Sequence, residues 1–509
     1  MSQDARDTPV SIEELPTIVK LLFEHTHRPL LPGAQKPLGL FVRYLRRKPG
    51  RGLAVIYNVD EIGNADRLAA RDPYRAVSLT LDEKALDGPH ICFSQEQAQE
   101  ATLEVQPSGV LCAREIGLSV QAFPADGSLP ALAVCCEPSS DRRVFDALQS
   151  AARKYPGNDS LQLISASAEP VRYKPANRCV IRYHLVLQPA VSAEESTIDT
   201  PRINLTLFGK VYAEPEQARS VQIMQQRLYE EQVQTAGSKP ASQPFLPCSP
   251  GIVEELGLTL TEAVQPANAE ERVVTGSQAL RPAIIRGRGG EITGVIVPVE
   301  ELQLTAKALA RLHTSSVRPD EGEPRTGGKE AKRARERAAL ISSHNPTMAE
   351  EVQLLAQQLA AHLEALQPDE YRPAHGGFKA SQLLFHSHQV FVVDFDGFCL
   401  ADAALDVGYF LAYLRPSGLW YGRAGMRKWF EDAADVFIGS YRQAMTEHGV
   451  PEAAIDGILQ RSRLYEAALL LKIATRRVNR LNSPRSGELS AMLREIAACL
   501  VEEAGQVSI

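Results

Sequence analysis

Residues 375–406, HGGFKASQLLFHSHQVFVVDFDGFCLADAALD, hold the most informative pattern in this chain. Two apolar runs, QLLF and VFVV, flank the segment HSH at 386–388, and this layout predicts a tight β-hairpin. One arm begins at Gln382 and the other returns to the acidic run DFD that starts at Asp394. A carboxylate that follows a buried strand is costly unless it is paired or bound to a metal, so we interpret Asp394 as functional.

The residue types at the end of this hairpin suit a magnesium ion. Magnesium is a hard cation that prefers oxygen donors, and both the Gln382 carboxamide and the Asp394 carboxylate could reach one ion. Phosphoryl transfer requires metal ligands, cations on the phosphates and an aligned acceptor hydroxyl. The stretch therefore indicates a phosphoryl-transfer site with Gln382 and Asp394 as its metal ligands.

The same stretch resembles the aminoglycoside phosphotransferase and choline kinase group, whose members have a protein-kinase-like fold. That group carries H-G-D-x-x-x-x-N, a hairpin, I-D-[FW]-[DE] and then G-D-P-x-x-D, and here the segments read HGGFKASQ, VDFDGF and ADAALDV. Gln382 keeps the carboxamide of the family asparagine. Gly377 stands where the family has its catalytic aspartate, so the resemblance implies a site without the usual proton acceptor.

The resemblance assigns roles to residues within the stretch. Lys379 stands where many protein kinases place a lysine on the γ-phosphate, and His375 is expected to be structural within the catalytic loop. Asp396 could act as a second metal ligand or as a substitute base. Asp402 and Asp406 are expected to hold the catalytic loop by hydrogen bonds.

The resemblance also extends upstream of the stretch. RYKPANRCVIRYHL, at 172–185, resembles the hairpin that covers the phosphates, although it has no glycine. LFGKVYA resembles the strand with the phosphate-binding lysine, which would be Lys210, and a surface lysine is the competing interpretation. The helix that starts at 215 would supply an acidic partner, Glu230, with Glu231 as the alternative.

A further segment, LTLTEAVQP, resembles the hinge between the two lobes of such a fold. Backbone groups of Glu262, Ala263 and Val264 would then contact adenine. The cofactors implied are ATP and Mg²⁺.

Three functions remain open. The first is a nucleotide-binding pseudokinase that acts as a regulator or scaffold for a protein partner. The second is an active kinase with a displaced base, which phosphorylates a hydroxyl of a sugar or amino-alcohol. The third is a structural module that has lost nucleotide binding, and the retained Lys210, Gln382 and Asp394 argue against it.

Bulk composition indicates which binding partners and which cellular compartment the sequence predicts. The chain has 509 residues, 44% of them apolar and 23% charged, and its net charge of -7 gives no reason to expect nucleic acid binding. No apolar run approaches the ~20 residues of a membrane span. The polar N-terminus and the eight scattered cysteines predict a cytoplasmic protein with reduced thiols.

The order of strand-like and helix-like segments predicts an α+β chain. We expect an N-terminal α/β domain at 1–155, a sheet-rich small lobe at 156–299 and a helical large lobe at 300–509. Together the last two would form a bilobal protein-kinase-like fold. The basic helix KEAKRARERAAL, at 329–340, is expected to be a solvated face, with an anionic partner as the alternative.

One internal similarity links the N-terminal region to the small lobe. VRYLRRKPGRGLAVIY at 42–57 resembles VRYKPANRCVIRY at 171–183, with an offset in spacing. Duplication and convergent hairpin composition explain this similarity about equally well.

Overall fold

In the computed structural model the protein forms two compact units. The structure describes residues 9–27, 30, 37–48, 52–61, 72–87, 90–155, 160–189, 202–236, 244–264, 272–289, 291–478 and 486–506. The first unit consists mainly of residues 1–219 and 250–262, and the second mainly of residues 220–249, 263–478 and 482–509. The predicted α+β class is confirmed, because antiparallel strands dominate the first unit and helices dominate the second.

The first unit contains two larger sheets and four helices among its described residues. Its strands are β1 (Leu38–Lys48), β2 (Gly52–Glu61), β3 (Ala76–Leu81), β4 (Leu86–Asp87), β5 (His90–Ile91), β6 (Glu104–Val105), β7 (Leu111–Ala113), β8 (Leu118–Ala122), β9 (Leu161–Lys174), β10 (Arg178–Pro189), β11 (Ile203–Tyr212), β12 (Gly251–Val253) and β13 (Leu258–Glu262). Its helices are α1 (Leu15–His25), α2 (Gln95–Glu100), α3 (Leu132–Cys136) and α4 (Arg142–Arg153).

The two larger sheets are antiparallel at every described pairing. One has the strand order β1-β2-β3-β8-β7-β6 and the other β12-β13-β11-β10-β9. Strand β10 shows why they form, since successive side chains alternate between the core and the outer face. Its core-facing residues are Cys179, Ile181, Tyr183, Leu185 and Leu187. Helix α1 lies in the core of the first sheet and α4 in that of the second.

The second unit is mainly helical. Its strands are β14 (Val274–Thr275), β15 (Ala283–Arg286), β16 (Ile292–Ile296), β17 (Arg372–Ala374), β18 (Leu383–His386), β19 (Gln389–Val392) and β20 (Cys399–Ala401). Its helices are α5 (Pro215–Ala236), which begins in the first unit, α6 (Gly276–Ala279), α7 (Val299–His313), α8 (Gly327–His344), α9 (Ala349–Glu364), α10 (Ala404–Leu414), α11 (Ser417–Trp420), α12 (Met426–Glu447), α13 (Glu452–Val478) and α14 (Ser486–Gln506). The division into three domains at 155 and 299 stays a prediction.

Helix α10 is the centre of the second unit. Its sequence, ALDVGYFLAYL, is apolar on nearly every side, and such a helix is stable only inside a core. It packs closely on α13, because a Cβ at Gly408 would lie 2.3 Å from the carbonyl oxygen of Ser462. Among the described helices, none has the length and apolar character needed to cross a membrane.

Candidate functional site

The hairpin formed by β18 and β19 has a two-residue turn. Ser387 and His388 both have positive φ, 45° and 59°, which is the backbone of a type I′ turn and suits the twist of a hairpin. The hairpin brings Gln382 beside Asp394, with 3.4 Å between Gln382 Nε2 and Asp394 Oδ2. The structure thus places the two predicted metal ligands together.

The Gln382 and Asp394 pair fits a magnesium ion. Gln382 is only 5% exposed, and its Oε1 atom has no hydrogen-bond partner among the described residues. Asp394 adopts a left-handed backbone (φ 72°, ψ 52°), which is strained for a residue other than glycine and is often found at functional sites. No group of three or more His, Cys, Asp or Glu side chains in the described chain could hold a metal. Magnesium usually keeps water and phosphate ligands, so two protein donors suffice.

The catalytic loop is anchored on Asp406 of α10. The backbone N–H of His375 donates to Asp406 Oδ2 at 2.5 Å, and that of Phe378 donates to Oδ1 at 3.5 Å. His313 Nε2 lies 3.6 Å from Oδ2. Burial alone would raise the pKa of Asp406, but its contacts with His313 and His375 lower it below the usual value. The anchoring role predicted for Asp406 agrees with these contacts.

Asp402 does not hold the catalytic loop. Its carboxylate instead accepts two hydrogen bonds from Arg461, at 2.7 and 3.2 Å, and one from the N–H of Ala404 at 3.1 Å. The prediction was wrong because Asp402 lies two residues before the start of α10, where a carboxylate meets the free N–H groups of the first helical turn.

His375 connects the loop to the strand end before Asp394. Its Nε2 atom lies 3.2 Å from the carbonyl oxygen of Val393, to which it donates. Burial lowers the pKa of His375, so the ring is neutral at neutral pH. Its ring also lies 4.8 Å from that of Phe395, between centroids. These contacts suit a structural role.

The two glycines of the loop, Gly376 and Gly377, differ in whether a side chain could be accommodated at their position. Gly376 has a φ of +71°, and a Cβ there would lie 2.1 Å from the carbonyl oxygen of Gly397. Gly377 has no such φ, and no described atom lies within 4 Å of the position that its Cβ would take. The loop geometry therefore needs glycine at 376 but not at 377.

A second anchor of the loop was not predicted. Arg325 donates from Nη1 to the carbonyl oxygen of Gly376 at 2.6 Å, from Nε to Glu330 at 2.8 Å, and from Nη2 to the Tyr409 hydroxyl at 2.6 Å. It thus ties the catalytic loop to helices α8 and α10. Arginine suits this position because its planar guanidinium presents several donors in fixed directions.

Helix α8 is not simply a solvated basic face. Glu330 is fully buried, and Arg337 is also largely buried, with Nη1 donating to the carbonyl oxygen of Ala468 at 3.1 Å. Burial would raise the pKa of Glu330, but Arg325, Arg333 and Arg337 lower it to about 2. The exposed basic side chains of 329–340 agree with the predicted solvated face, whereas that prediction was wrong for Glu330 and Arg337, because their charges are neutralised inside the unit.

Exchanging Arg325 for lysine is expected to lower the free energy of unfolding by about 1–3 kcal/mol. Lysine keeps the charge but cannot make the three hydrogen bonds together, which leaves buried acceptors unsatisfied. Denaturant unfolding checks this, with Arg335→Lys as the matched control. Arg335 forms a paired contact with Glu364 at 2.7 and 2.9 Å, but both side chains are about half exposed. An equal loss in both variants would contradict the anchoring role.

The remaining predicted residues lie on several elements. In the first unit, Lys210 pairs with Thr259 between β11 and β13, its Nζ lies 5.2 Å from the Tyr212 ring centroid, and Glu262 ends β13. In the second unit, Ala263 is buried and Val264 half-buried.

The two acidic candidates on α5 have different surroundings. Glu230 is exposed and accepts a hydrogen bond from Gln226 at 2.9 Å. Glu231 accepts hydrogen bonds from the Ser315 hydroxyl at 2.5 Å and from the Ser316 N–H at 2.7 Å. Burial raises the pKa of Glu231, but these serine contacts lower it below the usual value. Glu231 is therefore already held by residues of its own unit.

Two further residues of the stretch flank the metal pair. Lys379 Nζ lies 5.8 Å from the ring centroid of Tyr413 on α10. Asp396 lies on the short 3-10 turn Phe395–Gly397 that directly follows Asp394.

Part of the chain matches a known protein family. Residues 204–434 match the model described as the phosphotransferase enzyme family. No curated protein matches the chain.

Solved structures resemble the chain weakly. A glucosamine kinase in complex with glucosamine, ADP and inorganic phosphate is 16% identical, with 71% of this chain and 100% of that chain covered and a TM-score of 0.41. An ethanolamine kinase of Plasmodium vivax is 9% identical, with 74% and 95% covered and a TM-score of 0.38. A choline/ethanolamine kinase family protein of Mesorhizobium loti is 13% identical, with 62% and 85% covered and a TM-score of 0.36. At these values the likenesses carry no argument about the reaction. The stretch 375–406 lies inside the matched residues 204–434, so the match to the phosphotransferase enzyme family confirms the resemblance seen there.

Proposed function

We propose that this protein, whose residues 204–434 match the phosphotransferase enzyme family, binds ATP with Mg²⁺ but transfers phosphate poorly, and that it acts as a pseudokinase-like regulator or scaffold. The contact between Gln382 and Asp394 carries the proposal. The buried Oε1 oxygen of Gln382 has no hydrogen-bond partner among the described residues, and it could serve as a ligand of a bound metal. In this site Gln382 and Asp394 would hold the ion, which would neutralise phosphate charge when bound. Lys210, Lys379 and Glu230, with the 262–264 backbone, keep the roles that the family resemblance implies.

The absence of a base at 377 supports the regulatory assignment. A general base has to reach the acceptor hydroxyl within hydrogen-bond distance, and glycine offers no group that could do so. The contacts of Asp406 with the loop and of Gln382 with Asp394 support retained nucleotide binding. As part of the same proposal we place the protein in the cytoplasm, because its eight cysteines are free thiols.

ATP with magnesium is expected to raise the melting temperature of the protein, and ATP with EDTA is expected to raise it much less. A ligand at 100 times its Kd stabilises the bound state by about 2.7 kcal/mol, which a thermal shift assay detects readily. Asp394→Ala should remove the magnesium-dependent part because it deletes a metal ligand. Asp432→Ala, at a partly exposed surface aspartate of α12, is the control. If ATP with magnesium fails to stabilise the unmodified protein, the proposal is wrong.

A second candidate is an active kinase for a sugar or amino-alcohol, in which Asp396 replaces the missing base. One observation favours it: the turn with Asp396 packs directly on the catalytic loop, since a Cβ at Gly397 would lie 3.1 Å from the carbonyl oxygen of His375. A carboxylate on that turn is therefore close to the loop that contains Gly377. This candidate predicts that the unmodified protein transfers phosphate from ATP to an acceptor hydroxyl.

A further inference from the structure

The two sheets of the first unit share one topology. Strands β1-β2-β3-β8-β7 follow the same order as β9-β10-β11-β13-β12, reading each sheet from its first strand. In each case a helix precedes the first strand (α1 and α4), and a helix lies between the third and fourth of these strands (α2 and α5). Shared order through five strands goes beyond the hairpin similarity seen in the sequence.

The details of the two sheets agree as well. The turns before β8 and β13 are 3-10 turns, Arg114–Ile116 and Glu254–Leu256, and each ends in a left-handed glycine, Gly117 or Gly257, with φ of 63° and 57°. The carbonyl oxygen of Gly117 accepts from the N–H of Asp82 at 2.8 Å, just after β3. That of Gly257 accepts from the N–H at the end of β11 at 3.0 Å.

The strand registers identify equivalent residues in the two sheets. The first hairpins close at the pairs Lys48 with Gly52 and Lys174 with Arg178, and both lysines are followed by proline in the sequence. The turn at 49–51 lies outside the described residues. Five positions after each closing residue is a fully buried tyrosine, which is Tyr57 in the first sheet and Tyr183 in the second.

The register also shows what the first sheet lacks. Lys210 pairs with Thr259, the second residue after Gly257, and Thr80 pairs with Ser119, the second residue after Gly117. On the other side, Lys210 pairs with Val180 and Thr80 with Ala54, each three positions before the buried tyrosine. The counterpart of Lys210 is therefore Thr80, and the first sheet has no cation at this position.

The two copies meet at the tip of the β9–β10 hairpin. Phe123, just after β8, lies 5.0 Å from the ring of Tyr173 on β9, and Gln121 on β8 donates to the Tyr173 hydroxyl at 3.1 Å. The buried carboxylate of Asp126, in the segment between the copies, accepts from the Tyr173 hydroxyl and from the N–H of Ala176, both at 2.8 Å. Ala176 lies in the hairpin turn with a φ of 53°. The hairpin tip is thus held from outside its own sheet.

We propose that residues 38–122 are a duplicated copy of the sheet that carries Lys210, that this copy has lost its nucleotide contact, and that it now supports the β9–β10 hairpin through Asp126 and Tyr173. The hairpin has no glycine to shape its tip, so an external acceptor fixes the turn instead. The nucleotide part of this inference rests on the proposed function, together with the family resemblance that implies a phosphate-covering role for this hairpin. The N-terminal copy then sets how well ATP is held without binding it.

Tyr173→Phe tests the support, because it removes the hydroxyl but keeps the ring beside Phe123. Loss of a buried hydrogen bond is worth about 0.5–1.5 kcal/mol, so we expect amide hydrogen exchange at 174–178 to rise by about threefold to tenfold. Affinity for ATP with magnesium, measured by calorimetry, should fall by a similar factor. Asp126→Asn is the second variant and should act in the same direction.

Tyr57→Phe is the matched control. It changes a fully buried tyrosine of the first sheet, outside 172–185, whose hydroxyl has no hydrogen-bond partner among the described residues. It should leave exchange at 174–178 and ATP affinity within about twofold of the unmodified protein. Unchanged exchange in both Tyr173→Phe and Asp126→Asn overturns the support, and raised exchange with unchanged affinity overturns its link to the nucleotide.

Thr80→Ala and Lys210→Met test the loss of the first nucleotide contact. We expect one ATP per chain, no change for Thr80→Ala, and at least about tenfold weaker binding for Lys210→Met, since a charged hydrogen bond is worth about 1.5–3 kcal/mol. Equal losses in both variants would contradict the inference. If the unmodified protein binds no ATP, the proposed function fails, whereas the exchange experiment still decides whether Asp126 and Tyr173 support the hairpin.

Discussion

Replacing Gly377 with aspartate is expected to raise the rate of phosphoryl transfer from ATP by about 100- to 10,000-fold, the range that a general base contributes. The loop around Gly377 has room for an aspartate side chain and is held in a defined conformation. No described atom lies within 4 Å of the Cβ position at Gly377, and the loop is fixed on both sides by Asp406 and Arg325. ADP release measured with a panel of sugars and amino-alcohols gives the rate and at the same time surveys acceptors.

Two neighbouring variants show whether a gain comes from the base. Gly377→Asn has the same shape as the aspartate variant but cannot accept a proton, so its rate should equal that of the unmodified protein. Gly376→Asp moves the carboxylate by one residue to a position where a Cβ would lie 2.1 Å from the carbonyl oxygen of Gly397. It should lower the melting temperature without raising the rate.

The same assay separates the two candidate functions. If the unmodified protein already transfers phosphate and Asp396→Asn abolishes the transfer, the displaced-base kinase is correct and the regulator is not. If Gly377→Asp binds ATP with magnesium but gains no activity with any acceptor, the missing base is not what limits the site.

The arrangement of Gln382 and Asp394 could be predicted because it depends on local pattern. Two apolar runs around a short polar segment fix a hairpin, and hairpin pairing places the residues that flank its open end side by side. The strands at 161–213 and the helices after 300 could be predicted for the same reason, since each has a periodicity of its own.

The second anchor of the loop could not be predicted, because its parts are distant in sequence. Arg325 and Gly376 are 51 residues apart, and Arg325 and Tyr409 are 84 apart. The one usable signal was in α8, where Glu330 lies on the same helical face as Ala334, Ala338 and Ile341, all buried. A lone acidic residue on an alanine-rich stripe indicates a buried ion pair rather than a solvated face.

The similarity of 42–57 to 171–183 shows how an irregular strand hides a repeat. Strand β1 has an irregularity between Val42 and Tyr44, and β9 has its own irregularities at different pairs. The letters VRY also do not lie at equivalent positions, because Tyr44 is four residues before Lys48 whereas Tyr173 is one residue before Lys174, so matching them forces an offset. Pairing across the sheet restores the match from the lysine-proline pair onward, which composition alone could not do.

Replacing Asp406 with asparagine is expected to lower the free energy of unfolding of the helical unit by about 3–5 kcal/mol, as for a buried charged contact that loses one partner. Asp406 is fully buried, and its two oxygens face the N–H groups of His375 and Phe378 and the ring of His313. An amide NH₂ group in place of one oxygen would place a donor opposite a donor at a position that is fully buried from solvent.

Tryptophan fluorescence during denaturant unfolding measures this loss directly, because both tryptophans of the chain, Trp420 and Trp429, lie in the helical unit and are buried. Asp432→Asn is the control, since Asp432 is 40% exposed and pairs with Lys428 on the surface, where such contacts contribute at most about 1 kcal/mol. A loss no greater than that of the control would mean that Asp406 does not anchor the loop. A large loss would show that the loop depends on α10 for its shape, so that an aspartate introduced at Gly377 would be presented by a loop that is already rigid.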